Sequence, residues 1–137
     1  MSILELIGIH GSQNDLLAIA RRIEKGLPSS SIDRVKDALN LNDKQMSAIL
    51  DASQRTLTRL RAGRKHVPVS VGDRLFRIAN IFVLAADALE SEDEAKHWLR
   101  SRQVGLNNRT PLELLNTEAG AREIERLLGR IEYGVYS

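Results

Sequence analysis

The feature that most constrains this chain is its punctuation. Apolar residues recur every three or four positions along most of its length, the period of an amphipathic helix, and the stretches are bounded by helix caps. Asn42 stands three residues before Gln45, Ser91 before Glu94, and Thr110 before Glu113 with Pro111 between them. At this spacing the first side chain accepts a backbone N–H of the opening turn, and the Glu or Gln can reach back to the cap. Proline is favoured directly after a cap because the first helical position needs no N–H donor. Strand-like alternation and internal repeats do not occur. The pattern implies an all-α protein with short connections.

The period and the caps set out the helices in order. Residues 14–25 form the first, with Leu16, Leu17, Ala20 and Ile23 on its apolar side and Gly26 and Pro28 as the stop. Ile32, Val35 and Leu39 define a second. A third runs from Asn42 to Leu50, and Ser53 caps a fourth over residues 54–62 that ends at Gly63. Ser70 opens a long fifth helix whose inner face is Leu75, Ile78, Ala79, Phe82, Ala85, Ala86 and Leu89. Ala95, Trp98 and Leu99 follow as core positions. The last stripe is Ala121, Ile124, Leu127, Leu128 and Ile131, closed by Gly134.

Composition excludes several classes. With 137 residues, 42% of them hydrophobic and 28% charged, the chain can bury one compact core or two very small ones. It has no cysteine, so disulfides, thiolate metal sites and a thiol nucleophile are out. The opening Met1–Ile9 stretch is apolar but carries Glu5 and no basic leader, so a cytoplasmic protein with no membrane association is expected. His10, His66 and His97 have no metal-ligand spacing, and no phosphate loop or nucleophile elbow is present. No enzyme activity, metal or cofactor is expected.

Charge is segregated. Between Ser53 and Asn80, Arg55, Arg59, Arg61, Arg64, Lys65, Arg74 and Arg77 face one acid, Asp73; this segment is +6, leaving −4 for the rest of a chain whose net charge is +2. The same region has helix-turn-helix spacing. Met46, Leu50, Ala52, Leu57 and Leu60 take the inward positions, Ser47 is small where two helices would cross, and Asp51 stands where the turn usually has glycine. Ser53, Gln54, Arg55, Thr58 and Arg59 then face outward at the start of the second helix, where Arg suits guanine and Gln suits adenine. Arg61, Arg64 and Lys65 are read as an exit loop that contacts phosphates. The competing reading is a merely solvated helix face. Double-stranded operator DNA is the expected partner, with a homodimer to match paired half-sites, and the first helices as its candidate interface.

From Ser53 onward the chain also resembles the Xre-type antitoxins of the RES–Xre (Xre/MbcA/ParS-like) toxin–antitoxin family. The stretches that carry the resemblance are Arg55-Thr-Leu-Thr-Arg-Leu60, Asp73-Arg-Leu-Phe-Arg-Ile-Ala79 and Ala95-Lys-His-Trp-Leu99, followed by Thr110-Pro-Leu-Glu-Leu-Leu115, Thr117-Glu-Ala-Gly120 and Leu128-Gly-Arg-Ile-Glu-Tyr-Gly-Val-Tyr136. One departure is Asn107-Asn108, where relatives usually have two glycines; Asn is the next most tolerant residue of positive φ. The resemblance implies a DNA-binding region at residues 1–68 and a helical toxin-binding domain at 69–137. It implies an antitoxin that represses its own promoter and neutralises a RES-domain, NAD-depleting toxin by covering the active site, within a larger hetero-oligomer. Arg130, Tyr133, Gly134, Val135, Tyr136 and Ser137 are the candidate toxin contacts, since aromatics at a chain end make interface anchors. A stand-alone transcriptional regulator and a scaffold that no longer reads DNA are the alternatives.

Overall fold

A computed structural model describes residues 2–11, 14–63 and 66–134. Among the described residues the secondary structure is helical, with only two isolated β-bridges. The elements are α1 (Ile3–Leu6), α2 (Leu16–Lys25), α3 (Ser31–Ala38), α4 (Asp43–Leu50), α5 (Gln54–Ala62), α6 (Val69–Leu89), α7 (Glu92–Arg100), a 3-10 turn (Val104–Leu106), α8 (Pro111–Leu114) and α9 (Glu118–Glu132). None of these helices is long and apolar enough to cross a membrane.

The caps act as the spacing implies. Asn42 and Gln45 form a reciprocal capping box, with Gln45 N–H donating to Asn42 Oδ1 at 2.7 Å and Asn42 N–H to Gln45 Oε1 at 2.9 Å. Ser53, Ser91, Thr110 and Thr117 each accept a third-position N–H with their hydroxyl oxygens. Such caps each contribute about 1 kcal/mol, which matters for helices this short.

The chain divides into two compact units, Met1–Ala79 and Asn80–Ser137, and the division falls within α6. In the first unit Ile7, Leu27, Ile32, Leu39, Met46 and Leu50 are fully buried. The start of the chain contributes to this interior through α1, a helix that periodicity over so few residues does not reveal. Ile3 and Leu4 are buried, and Arg34 on α3 donates to the Leu6 carbonyl at 3.4 Å. In the second unit Trp98, Leu99, Leu115, Ile124, Leu127 and Leu128 are buried, as their stripe implies.

Two expectations need correction. The apolar face of α2 runs through Ile19 and Ile23, four residues apart, and not through Leu16 and Leu17, which are each 65% exposed. Leu17 lies about 200° round the helix from Ile19, and Leu16 sits in the first turn. The long helix starts at Val69 and not after a Ser70 cap; Gly72 N–H already bonds to the Pro68 carbonyl at 2.9 Å.

Candidate nucleic-acid interface

The turn between α4 and α5 is held by its own backbone. Asp51 adopts the left-handed conformation, φ 49° and ψ 48°, that the missing glycine position demands. Ala52 N–H then bonds to the Ser47 carbonyl at 3.1 Å, closing α4 in the manner of a Schellman motif. Ser47 also donates its hydroxyl to the Ala52 carbonyl, so a small polar residue serves both the close crossing and the turn. From α6, Arg74 Nη2 lies 3.8 Å from Asp51 Oδ2. Met46, Leu50 and Leu57 are buried between the helices, with Ala52 and Leu60 half-buried.

α5 then presents its first turn and one side to solvent. Ser53, Gln54, Arg55, Thr58 and Arg59 are all exposed. Ser53 Oγ accepts from Thr56 N–H at 3.1 Å and donates to Thr56 Oγ1 at 2.9 Å, which fixes the helix start. Thr58 Oγ1 donates to the Gln54 carbonyl at 2.9 Å, leaving its oxygen able to accept. Arg55 in the first turn and Arg59 one turn further on form no ion pair with any described residue, so two exposed cations lie on the outward side of the helix. That set can meet phosphates and base edges together.

Arg61 does not join them. The sequence reading grouped it with Arg64 and Lys65 on an exit loop, whereas it lies in the last turn of α5, four residues after the buried Leu57 and on the same side. Its guanidinium meets two carboxylates: Nε is 2.9 Å from Asp33 Oδ1 on α3, and Nη2 donates to Asp43 Oδ1 at 3.2 Å on α4. The Nε–H is not aimed at Asp33, so that contact is an ion pair and not a hydrogen bond. Lys36 on α3 closes the cluster, Nζ to Asp43 Oδ1 at 2.9 Å. The Lys36 hydrogen bond, reinforced by Arg61, holds the Asp43 carboxyl below its ordinary value of 3.8 against the opposing effect of desolvation. Asp33, Lys36 and Asp43 were not singled out from sequence, because a pairing across three helices leaves no periodic trace in one chain. Arg64 and Lys65 lie outside the described residues.

The second unit offers a different surface. Between Ser101 and Thr110 the chain makes a tight excursion closed by a Gln103–Arg109 bridge, with Asn107 and Asn108 both left-handed at φ 57° and 61°. Asparagine thus takes up the left-handed conformation at both positions. Val104, the first residue of its 3-10 turn, is 80% exposed. α9 is anchored at its start by a close approach, where a Cβ on Gly120 would fall 2.0 Å from the Leu114 carbonyl oxygen. Its outer face pairs its own charges, Arg122 with Glu118 at 3.3 Å and Arg126 with Glu123 at 3.0 Å. Burial, with Glu118 adding to it, pushes the Glu125 carboxyl up. At the far end Arg130, Tyr133 and Gly134 are exposed, Tyr133 at 81%, and Gly134 turns left-handed at φ 69°. Val135, Tyr136 and Ser137 lie outside the described residues. No cluster of His, Asp or Glu among the described residues is arranged to hold a metal ion.

Comparison with known proteins falls along the same division. Residues 18–80 match the family model of the antitoxin Xre-like helix-turn-helix domain, and residues 84–134 that of the antitoxin Xre/MbcA/ParS C-terminal toxin-binding domain. The chain is 28% identical over 132 residues to an antitoxin Xre of Yersinia enterocolitica, covering 96% of this chain and 88% of that one. It is 27% identical over 116 residues to an antitoxin Xre of Photorhabdus laumondii, covering 84% and 78%. A Prs ADP-ribosylating antitoxin of Sphingobium is 24% identical over 124 residues, covering 84% and 78%. Among solved structures, a chain of the M. tuberculosis MbcT–MbcA toxin–antitoxin complex superimposes with a TM-score of 0.60 at 25% identity, covering 80% of this chain and 96% of that one.

Proposed function

The chain belongs to the Xre/MbcA/ParS antitoxin family, and from that premise we propose that it neutralises a RES-domain toxin and represses the promoter of their shared operon. The observation that carries this reading is one chain holding both parts in order: an Xre-like helix-turn-helix and then a toxin-binding domain. We assign DNA reading to residues 1–68 and toxin docking to residues 69–137. The antitoxin acts without chemistry of its own, in the cytoplasm, by occupying surfaces.

In this proposal α5 enters the major groove. Arg55 and Arg59 supply base and phosphate contacts, Gln54 and Thr58 add hydrogen-bonding groups, and Ser53 sets the helix start. Arg64 and Lys65 follow toward the phosphates. Two copies read paired half-sites about one helical turn apart, so a homodimer is the DNA-binding form. The exposed Tyr133 and the segment after Gly134, with Arg130 beside it, form the docking end that covers the toxin active site. The complex named in the solved mycobacterial relative supports docking onto a toxin, and the name of the Sphingobium relative adds ADP-ribosylation to NAD depletion as a toxin chemistry to assay.

The test is co-expression with the neighbouring RES-domain toxin, reading both cellular NAD⁺ and ADP-ribosylated protein. The full chain is expected to preserve growth, and a chain ending at Glu132 to lose neutralisation while still protecting a promoter duplex from nuclease. A full chain that leaves the toxin active overturns the antitoxin reading. A truncated chain that protects as well as the full one overturns the role of the tail.

A further inference from the structure

Resting on the proposed DNA reading, we infer that Arg61 is a positioning residue for the reading helix, held by Asp33 and Asp43, and contacts no phosphate itself. α5 is poorly equipped to stay in place by apolar packing: Leu57 is its one fully buried side chain among the described residues. The outward side carries Gln54, Arg55, Thr58 and Arg59 and so contributes nothing to docking. At the start of the helix the Ala52 and Ser47 bonds fix the turn. At its end Arg61 links α5 to α3 and α4 through Asp33 and Asp43. Those carboxylates belong to α3 and α4, and Lys36 joins α3 to the Asp43 of α4, so one guanidinium ties three helices at a point. The side chain is 21% exposed, enough removed from water for a paired geometry to hold.

Direction settles the division of labour among the arginines. Arg61 is about 200° round the helix from Arg59, so both cannot face one groove. It is also one turn beyond Leu57 on the inward side, so its removal leaves the α5 end free to pivot about Leu57 while the reading side chains stay intact. Base readout depends on direction; attraction to phosphate depends much less on it.

Fluorescence anisotropy of the full chain tests this, on a duplex carrying its own promoter and on a scrambled duplex, across a series of KCl concentrations. Arg61→Met is expected to lower the preference for promoter over scrambled DNA by about tenfold, the scale of one misread base pair. Affinity for scrambled DNA and the salt slope should stay at the parent values. Arg61→Lys, which keeps a cation for Asp43, should restore part of the preference. Arg59→Ala should instead lower the salt slope by about one unit on both duplexes. Thermal melts check that each variant folds, and Asp33→Asn, which leaves every basic residue in place, is expected to reproduce the loss of preference without a change of slope.

A salt slope in Arg61→Met that falls as it does in Arg59→Ala identifies a phosphate contact and overturns the inference. Full promoter preference in both Arg61→Met and Asp33→Asn overturns it too. A parent chain that does not distinguish the two duplexes removes the DNA reading on which the inference stands, and is recognised without any variant.

Discussion

Gly120 and Gly129 lie in one helix and should respond to the same substitution with opposite signs. A Cβ on Gly120 would stand 2.0 Å from the Leu114 carbonyl oxygen and 2.9 Å from its carbonyl carbon. To restore an ordinary contact the α9 backbone must retreat by roughly 1 Å or more. That movement opposes the cap, because Gly120 N–H bonds to Thr117 Oγ1 at 3.0 Å and Ala121 N–H to the Thr117 carbonyl at 3.1 Å. Overpacking of this kind costs about 1–3 kcal/mol, and a disturbed cap about 1 more. The better helix propensity of alanine returns about 1 kcal/mol, so Gly120→Ala should destabilise by about 1–3 kcal/mol. A chain of this size loses roughly 3–5 °C of melting temperature per kcal/mol. At Gly129 nothing lies within 4 Å of the added carbon. Gly129→Ala should therefore stabilise by about 1 kcal/mol. Calorimetric melts of both variants against the parent decide the matter. A Gly120→Ala protein that melts with or above the parent refutes the close approach of α8 to α9.

Two further perturbations act on the first unit. Asp51→Gly should raise stability by about 0.5–1 kcal/mol, because glycine takes the left-handed turn without a side-chain penalty while the 3.8 Å surface pair with Arg74 contributes little; a lower melting temperature in the variant contradicts this. Asp43 has its carboxyl pKa depressed, first by Lys36 and then by Arg61, so its stabilising effect is present above its ordinary value of 3.8 and disappears as pH falls through the lowered one. The melting temperatures of the parent and Asp43→Asn should therefore differ at pH 7 and converge toward pH 3, and a difference constant across that range rules the depression out.

What the sequence disclosed was local. Caps at Asn42, Ser53, Ser91 and Thr110 are visible because donor and acceptor are three residues apart. The left-handed residues Asp51, Asn107 and Asn108 are visible because few side chains tolerate that backbone. Trp98 is in the core because its neighbours on the helix are apolar. The misses are tertiary. Leu16 and Leu17 satisfy an apolar pattern, but the packed side of α2 is decided by Ile19 and Ile23, which carry the interior contacts. The α1 segment has too few residues to establish a period. Arg61 is the instructive case: a run of cations suggests a phosphate contact, while its register with Leu57 turns it toward Asp33 and Asp43, where it is half-buried.

That conflict follows from what a reading helix must do. A helix that offers one side to a groove keeps few apolar residues for its own attachment, and α5 retains Leu57 and part of Leu60. The attachment must then come from groups that do not compete for the outward side. At the far end of α5 an arginine directed at acids meets this requirement, Arg61 toward Asp33 and Asp43, whereas the longer Arg74–Asp51 pair at the turn adds little. Isolated surface pairs of this type are weak, but three helices converging on Arg61 make its position dependent on several partners at once. The basic character of the segment between Ser53 and Asn80 is thus not one property. On the proposed DNA reading, Arg55 and Arg59 supply the potential that draws nucleic acid, and Arg61, paired with Asp33 and Asp43, supplies direction to α5.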